Sequence, residues 1–89
     1  MGTLSPHEER FAANVAQVRR ARGMSQEDLA NQIGMGRTAV VAIEAGGRRI
    51  RLGEACQIAD VLGVSLAELI GDQPITIQLP ASTIGAGTA

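Results

Sequence analysis

The sequence has few of the residues on which several protein classes depend. Trp and Tyr are absent and Phe11 is the single aromatic residue among 89, so the core must be aliphatic, a composition that favours packed helices. The single cysteine, Cys56, excludes an internal disulfide and lacks a metal-ligand pattern around it. We expect a small helical protein of a reducing compartment, with Cys56 as a small buried residue on a helix.

Signals for catalysis and for membranes are also missing. His7 is the only histidine and has no partner nearby in sequence for nucleophilic or metal chemistry. No apolar run approaches the roughly 18 residues that span a bilayer, and the first residues lack the apolar core of a signal peptide. We therefore predict no enzyme activity, no cofactor, no metal site and no membrane contact, and a cytoplasmic location.

Lysine is absent too, and the charge is unevenly distributed. All eight basic residues are arginines at or before residue 51, where they face five acidic residues and give a net charge of +3. The remaining 38 residues contain four acids and no base, which brings the total to −1. Because anion binding depends on where charges lie, the arginines between residues 37 and 51 predict an anion-binding surface.

Five helical patterns occupy residues 6–70. Ser5-Pro6-His7-Glu8 has the form of a capping box with proline at the first helical position, and predicts helix 1 over residues 6–22. A weaker start at Ser25 and a stop at Gly34 bound helix 2. The third helix is predicted over Arg37–Glu44, the fourth over residues 52–62 and the fifth over residues 66–70. The apolar spacing predicts a buried stripe on helix 4, formed by Leu52, Ala55, Ile58, Ala59 and Leu62.

The composition changes after Gly71 and divides the chain. Residues 1–71 form one all-α domain of five helices in this interpretation, and residues 72–89 form a C-terminal tail. Within the tail, Ile75, Ile77 and Leu79 alternate with polar residues between two prolines, which predicts a short strand over residues 74–80. The chain has no other strand for it to join, so we expect these three apolar residues to pair across a two-fold axis and form a homodimer.

Helices 2 and 3 flank a tight turn that contains two glycines. A helix pair joined in this way lets one helix rest on the DNA backbone while the next enters the major groove. The segment from Gly34 to Ala39 also matches the glycine pattern of dinucleotide-binding sites, but such sites need a preceding strand. Here an amphipathic helix precedes Gly34, so the match is coincidental.

Four blocks in order between Val18 and Ile70 resemble the Xre family, the helix-turn-helix proteins of the Cro and cI phage-repressor type. They are RRARGMSQEDLA (19–30), IGMGRTAV (33–40), IEAG (43–46) and IADVLGVSLAELI (58–70). The resemblance implies a compact repressor-like domain that binds double-stranded DNA and regulates transcription. It implies base contacts from the third helix, by Arg37, Thr38, Val41 and Ala42.

The same resemblance assigns roles to residues around the third helix. It implies phosphate contacts from the helix starts and from the connection to helix 4, by Ser25, Gln26, Gly36, Arg48, Arg49 and Arg51. It also implies that Arg19 pairs with Glu44 to orient the reading helix without touching DNA. Gly36 stands where the family usually has Ser or Thr, and glycine is nearly as good a helix cap.

Two functions remain open at this point. The first is a dimeric transcriptional regulator, a repressor, bound to a palindromic operator. The second is an antitoxin-type interaction protein that binds DNA and captures a partner protein with its tail by strand addition.

Overall fold

The computed structural model describes residues 4–75 and contains five α-helices in that part of the chain. They are α1 (Pro6–Ala21), α2 (Gln26–Ile33), α3 (Arg37–Glu44), α4 (Leu52–Leu62) and α5 (Leu66–Leu69). The predicted all-α fold is therefore confirmed. Pro74 and Ile75 have no regular secondary structure, and the rest of the predicted strand, with Ile77 and Leu79, lies outside the described residues.

Three of the helices begin with the same reciprocal hydrogen bonds from a serine. At the start of α2, Oγ of Ser25 accepts from the N–H of Asp28, and the Asp28 carboxylate accepts from the N–H of Ser25, both at 2.9 Å. The backbone hydrogen bond from Ser25 lowers the pKa of Asp28. Ser5 and Ser65 cap α1 and α5 in the same way. These boxes satisfy N–H groups that a helix leaves unpaired and explain why the helix starts were readable in the sequence.

The core is aliphatic apart from one ring, as the composition predicts. Every helix contributes at least one side chain that is fully buried: Phe11, Val15, Val18, Leu29, Val40, Ile43, Ile58, Leu62 and Leu69. Helix α1 contacts α3, α4 and α5, and α2 packs between α3 and α4. Helices α1 and α4 therefore support the α2–α3 pair, since α1 contacts α3 and α4 contacts α2.

Arg10 on α1 and Arg22 directly after it bind the carboxyl ends of α5 and α4. Nε of Arg22 donates to the carbonyl of Leu62 at 3.0 Å, and Nε of Arg10 donates to the carbonyl of Ile70 at 2.9 Å. Cations and donors at these ends satisfy carbonyls that lack a helical partner. Arg10 and Arg22 thus stabilise the packing of the helices.

Two expectations about α4 are wrong. Leu52 was assigned to the buried stripe but is 72% exposed, because the groove beside it is not filled by any side chain in residues 4–75. Cys56 was expected to be buried but is exposed. The buried face of α4 includes Ala55, and Cys56 lies one residue, about 100°, further around the helix.

Candidate nucleic-acid interface

The connection between α2 and α3 is short and tightly bonded. Gly34 ends α2 with a positive φ of 71°, which costs glycine little. The N–H of Met35 then donates to the carbonyl of Ala30 at 2.9 Å, and the Met35 side chain packs against the core. Gly36 is the N-cap of α3 in extended conformation. This turn fixes the angle between the two helices, as a helix-turn-helix requires.

Helix α3 is divided into an inner and an outer face. Val40 and Ile43 are each 1% exposed and anchor it to the core. The four residues predicted to face bases lie together on the opposite side, where Arg37, Thr38 and Val41 are exposed and Ala42 is half-buried. Ala45, directly after the helix, is exposed as well and extends this face by the helical period, a position that the sequence interpretation missed.

A buried ion pair connects α3 to α1. Nε of Arg19 donates to Oε2 of Glu44 at 2.6 Å, and a second guanidinium nitrogen donates to Oε1 at 3.0 Å. The two side chains are only 9% and 6% exposed. Arg19 also donates to the carbonyl of Met24 at 2.7 Å. The fork geometry fixes the carboxyl end of α3 in both distance and orientation.

Gln26, which the family resemblance assigns to a phosphate, contacts protein here. Its Nε2 donates to Oε1 of Glu44 at 3.1 Å, so α2 joins the same network as α1 and α3. A glutamine amide has a second N–H and a carbonyl oxygen, so this bond does not use all of its hydrogen-bonding groups. The network therefore orients Gln26 as well as α3.

A second ion pair lies where α3 leads into α4. Two nitrogens of Arg48 donate to the two carboxylate oxygens of Glu54 at 3.0 and 3.1 Å. Glu54 also accepts from the N–H of Arg51 at 3.1 Å and so caps α4. The hydrogen bond from Arg48 is the main cause that lowers the pKa of Glu54. Glu54 was missed from the sequence, although its position three residues into α4 is the capping-box position.

The other residues predicted to contact phosphates are exposed. Ser25 and Gly36 lie at the N-termini of α2 and α3, and Arg49 and Arg51 lie in the connection to α4. The pKa of Glu8 is lowered, first by the backbone hydrogen bond from Ser5, with a contribution from the nearby charge of Arg49. Two helix N-termini and an arginine segment thus flank the outer part of α3, the arrangement that anions favour.

The family model named Helix-turn-helix matches residues 15–69, which span α1 from Val15 to α5. The chain belongs to this family, in its Xre (Cro and cI) branch, whose members are DNA-binding transcription regulators. The match includes every residue of the α2–α3 unit and both ion pairs. It confirms the resemblance inferred from the four sequence blocks.

This helix-turn-helix chain is similar to a known protein by sequence and to proteins of known structure. The cryptic phage CTXphi transcriptional repressor RstR of Vibrio cholerae is 33% identical over 67 residues, which are 75% of this chain and 60% of RstR. The chain thus spans less than two thirds of that relative. The restriction-modification controller protein C.AhdI from Aeromonas hydrophila is 33% identical with a TM-score of 0.65, over 67% of this chain and 91% of its own. The hypothetical transcription factor NHTF from Neisseria is 30% identical with a TM-score of 0.69, over 94% and 86%.

The relatives are regulators and not enzymes. Between residues 4 and 75, no three side chains of the types His, Cys, Asp and Glu are grouped so as to hold a metal ion. In the same part of the chain, no helix has the length and apolar character needed to cross a membrane.

Proposed function

We propose that this regulator binds double-stranded DNA in a sequence-specific manner, with the outer face of α3 in the major groove, and that it represses transcription in the cytoplasm. The observation that carries the proposal is the exposed face of Arg37, Thr38, Val41 and Ala42 on a helix whose two ends are fixed by the Gly34–Gly36 turn and by the Arg19–Glu44 pair. A rigid helix of this size fits a groove about 12 Å wide.

Arg37 is the main base reader in this proposal. Its guanidinium can donate two parallel hydrogen bonds to O6 and N7 of guanine, the commonest specific contact in the major groove. Thr38 adds a hydroxyl and a methyl, whereas Val41 and Ala42 offer only apolar surface toward thymine methyls. With one strong hydrogen-bonding group on the face, part of the specificity must come from DNA shape.

Phosphate contacts are assigned to the groups that surround α3. The exposed backbone and side-chain donors at the two helix starts, and the arginines of the next connection, face the same anionic backbone: Ser25, Gln26, Gly36, Arg48, Arg49 and Arg51. Such contacts position a protein on DNA but carry little sequence information directly. Arg48 retains N–H donors beyond the two used on Glu54, because a guanidinium has five.

A homodimer on a palindromic operator completes the proposal. A two-fold dimer places two reading helices about 34 Å apart, on one face of the DNA. We assign the dimer contact to the tail, with Ile75, Ile77 and Leu79 on its apolar side. The word repressor in the name of RstR supports repression as the outcome. Neither the family match nor the relatives named above support the antitoxin alternative.

The deciding experiment is selection of bound sequences from a pool of random DNA. We expect a palindrome with guanines at equivalent positions of its two halves, because each α3 contributes one Arg37. Recovery of unselected sequences would contradict sequence-specific binding. A single half-site would leave the base reading intact but contradict the dimer.

A variant of the reading helix tests the assignment directly. Arg37→Ala should lower affinity for the selected site by about 1–3 kcal/mol and leave binding to random DNA nearly unchanged, because a base contact is lost. Fluorescence anisotropy titrations measure both. Arg22→Ala serves as the arginine control, because the Arg22 side chain binds the carboxyl end of α4. Equal losses on the two DNAs would make Arg37 a phosphate contact.

A further inference from the structure

A groove of about 270 Å³ opens on the domain where the start of α4 faces α1 and α5. We call it the α1–α4 groove. Its walls are largely apolar and come from α1, the α3–α4 connection, α4 and α5: Phe11, Ile50, Leu52, Ala55, Leu66 and Ile70. Leu52 at its edge is 72% exposed, the largest exposure among the big apolar side chains between residues 4 and 75. An apolar groove beside an exposed leucine is a surface that favours an apolar occupant.

The chain leaves α5 at the margin of this groove. Ile70, the residue after α5, lines the groove, and two residues later Oδ1 of Asp72 lies 3.3 Å from Nε2 of His7. His7 also lines the groove. The root of the tail is therefore held next to the opening, on the side formed by α1.

Ile75 shows which side of the tail faces the domain. It is half-buried and packs against the core of its own chain. In an extended segment, side chains alternate between two faces, so residues 75, 77 and 79 share one face and residues 76 and 78 share the other. Leu79 is four residues from Ile75 and within about 13 Å of it along an extended chain.

We propose that the α1–α4 groove is the seat of this chain's own tail, with the side chains of Ile77 and Leu79 inserted into it. The short connection from Asp72 gives the tail a high effective concentration at the groove, which favours it over a segment of another molecule. This inference rests on the proposed dimer and extends it. A tail seated through its apolar face keeps its backbone hydrogen-bonding edges at its two sides, and one of these edges pairs with the seated tail of a second copy.

Cysteine pairs test the seat. In a Cys56→Ser background, Leu52→Cys is combined with a cysteine at Ile77 or Leu79, or with one at Thr76 or Gln78 as matched controls on the opposite face. After mild oxidation of dilute protein, we expect a disulfide within one chain at position 77 or 79, formed at least tenfold more than at 76 or 78. Equal yields on both faces, or none at 77 and 79, would overturn the seat. A disulfide that joins groove and tail of different chains would assign the groove to a second copy.

Amide hydrogen exchange supplies a measurement that needs no disulfide. Leu52→Glu should speed exchange at residues 77–79 at least tenfold, whereas Cys56→Glu, on the same helix but outside the groove, should not. Unchanged exchange in Leu52→Glu would overturn the seat. DNA titration of the same samples separates the two proposals. Retained operator binding with no seating contradicts only this inference, whereas no operator binding by the unaltered protein contradicts the proposed function.

Discussion

Two Arg–Glu pairs lie at the carboxyl end of α3 and just beyond it, and they differ chiefly in burial. The side chains of Arg19 and Glu44 are 9% and 6% exposed, whereas those of Arg48 and Glu54 are 33% and 20% exposed. Both pairs are bidentate. The first joins residues of α1 and α3 that are 25 positions apart in sequence, and the second joins the α3–α4 connection to α4 across six positions.

The difference shows how burial decides what the same chemical pair does. In the interior, Glu44 has partners from α1 and α2, and losing one partner leaves a charge that water cannot reach. Arg48 and Glu54 are partly exposed, so solvent screens them more and their attraction adds less to stability. We infer that the buried pair holds the reading helix, and that the exposed pair keeps an arginine and the start of α4 in order beside the proposed phosphates.

The largest effect is expected from the buried pair. Glu44→Ala should lower the free energy of unfolding by about 3 kcal/mol, because Arg19 remains buried without its counter-ion. The melting temperature should fall by roughly 12–24 °C for a domain of this size. Glu27→Ala, an exposed acid in the first turn of α2, should cost less than about 1 kcal/mol. A Glu44→Ala variant as stable as the unaltered protein would erase the distinction between the pairs.

The next effect in size concerns the hydrogen bond by which Gln26 joins the buried Arg19–Glu44 pair. Gln26→Ala should destabilise the fold by about 1 kcal/mol, the usual contribution of one hydrogen bond. Gln32→Ala, also on α2 but exposed, should stay within about 0.5 kcal/mol. In a double-mutant cycle, Gln26→Ala should cost less once Glu44 is replaced by alanine. Strict additivity would show that Gln26 acts independently of the pair.

The more exposed pair should affect how DNA affinity depends on salt, because Arg48 lies beside the proposed phosphates. Arg48→Ala or Arg49→Ala should each reduce the slope of log affinity against log salt by about one unit, since each phosphate contact releases a counter-ion. Arg22→Ala is the control, because Arg22 binds the carbonyl of Leu62 at the other end of α4, about 16 Å from the start of an 11-residue helix. An unchanged slope in Arg48→Ala would mean that Glu54 keeps this arginine from the DNA.

The smallest effect concerns pH. Because the pKa of Glu54 is lower in the folded protein than in the unfolded chain, its stabilising contribution is present above its unfolded pKa of about 4.3 and is lost as the pH falls through the folded value. Glu54→Gln should therefore flatten part of the rise in stability with pH below about pH 5, measured by urea unfolding. Glu27→Gln should change this profile less, and an identical profile for the two variants would contradict the assignment.

Much of the fold was readable from local signals. Ser5, Ser25 and Ser65 begin helices with partners three residues away, and such short-range bonds leave a recognisable pattern. Gly34 likewise marks a stop whose conformation few other residues adopt. The exposures of Leu52 and Cys56 were predicted wrongly, because helical period alone does not say how far neighbouring helices extend over a face.

The sequence by itself determined the helices, their order, the outward face of α3 and the membership of the helix-turn-helix family, because capping, apolar period and glycine stops act within a few residues. Only the tertiary structure decided which arginines bind the ends or side chains of other helices. Arg10 and Arg22 bind helix ends, and Arg48 is shared with Glu54, whereas the pairing of Arg19 with Glu44 was already implied by the family resemblance. The partners of Arg10, Arg22 and Arg48 come from other helices or from side chains whose rotamers are selected by packing. The pairing therefore depends on proximity in space, which no local sequence pattern encodes.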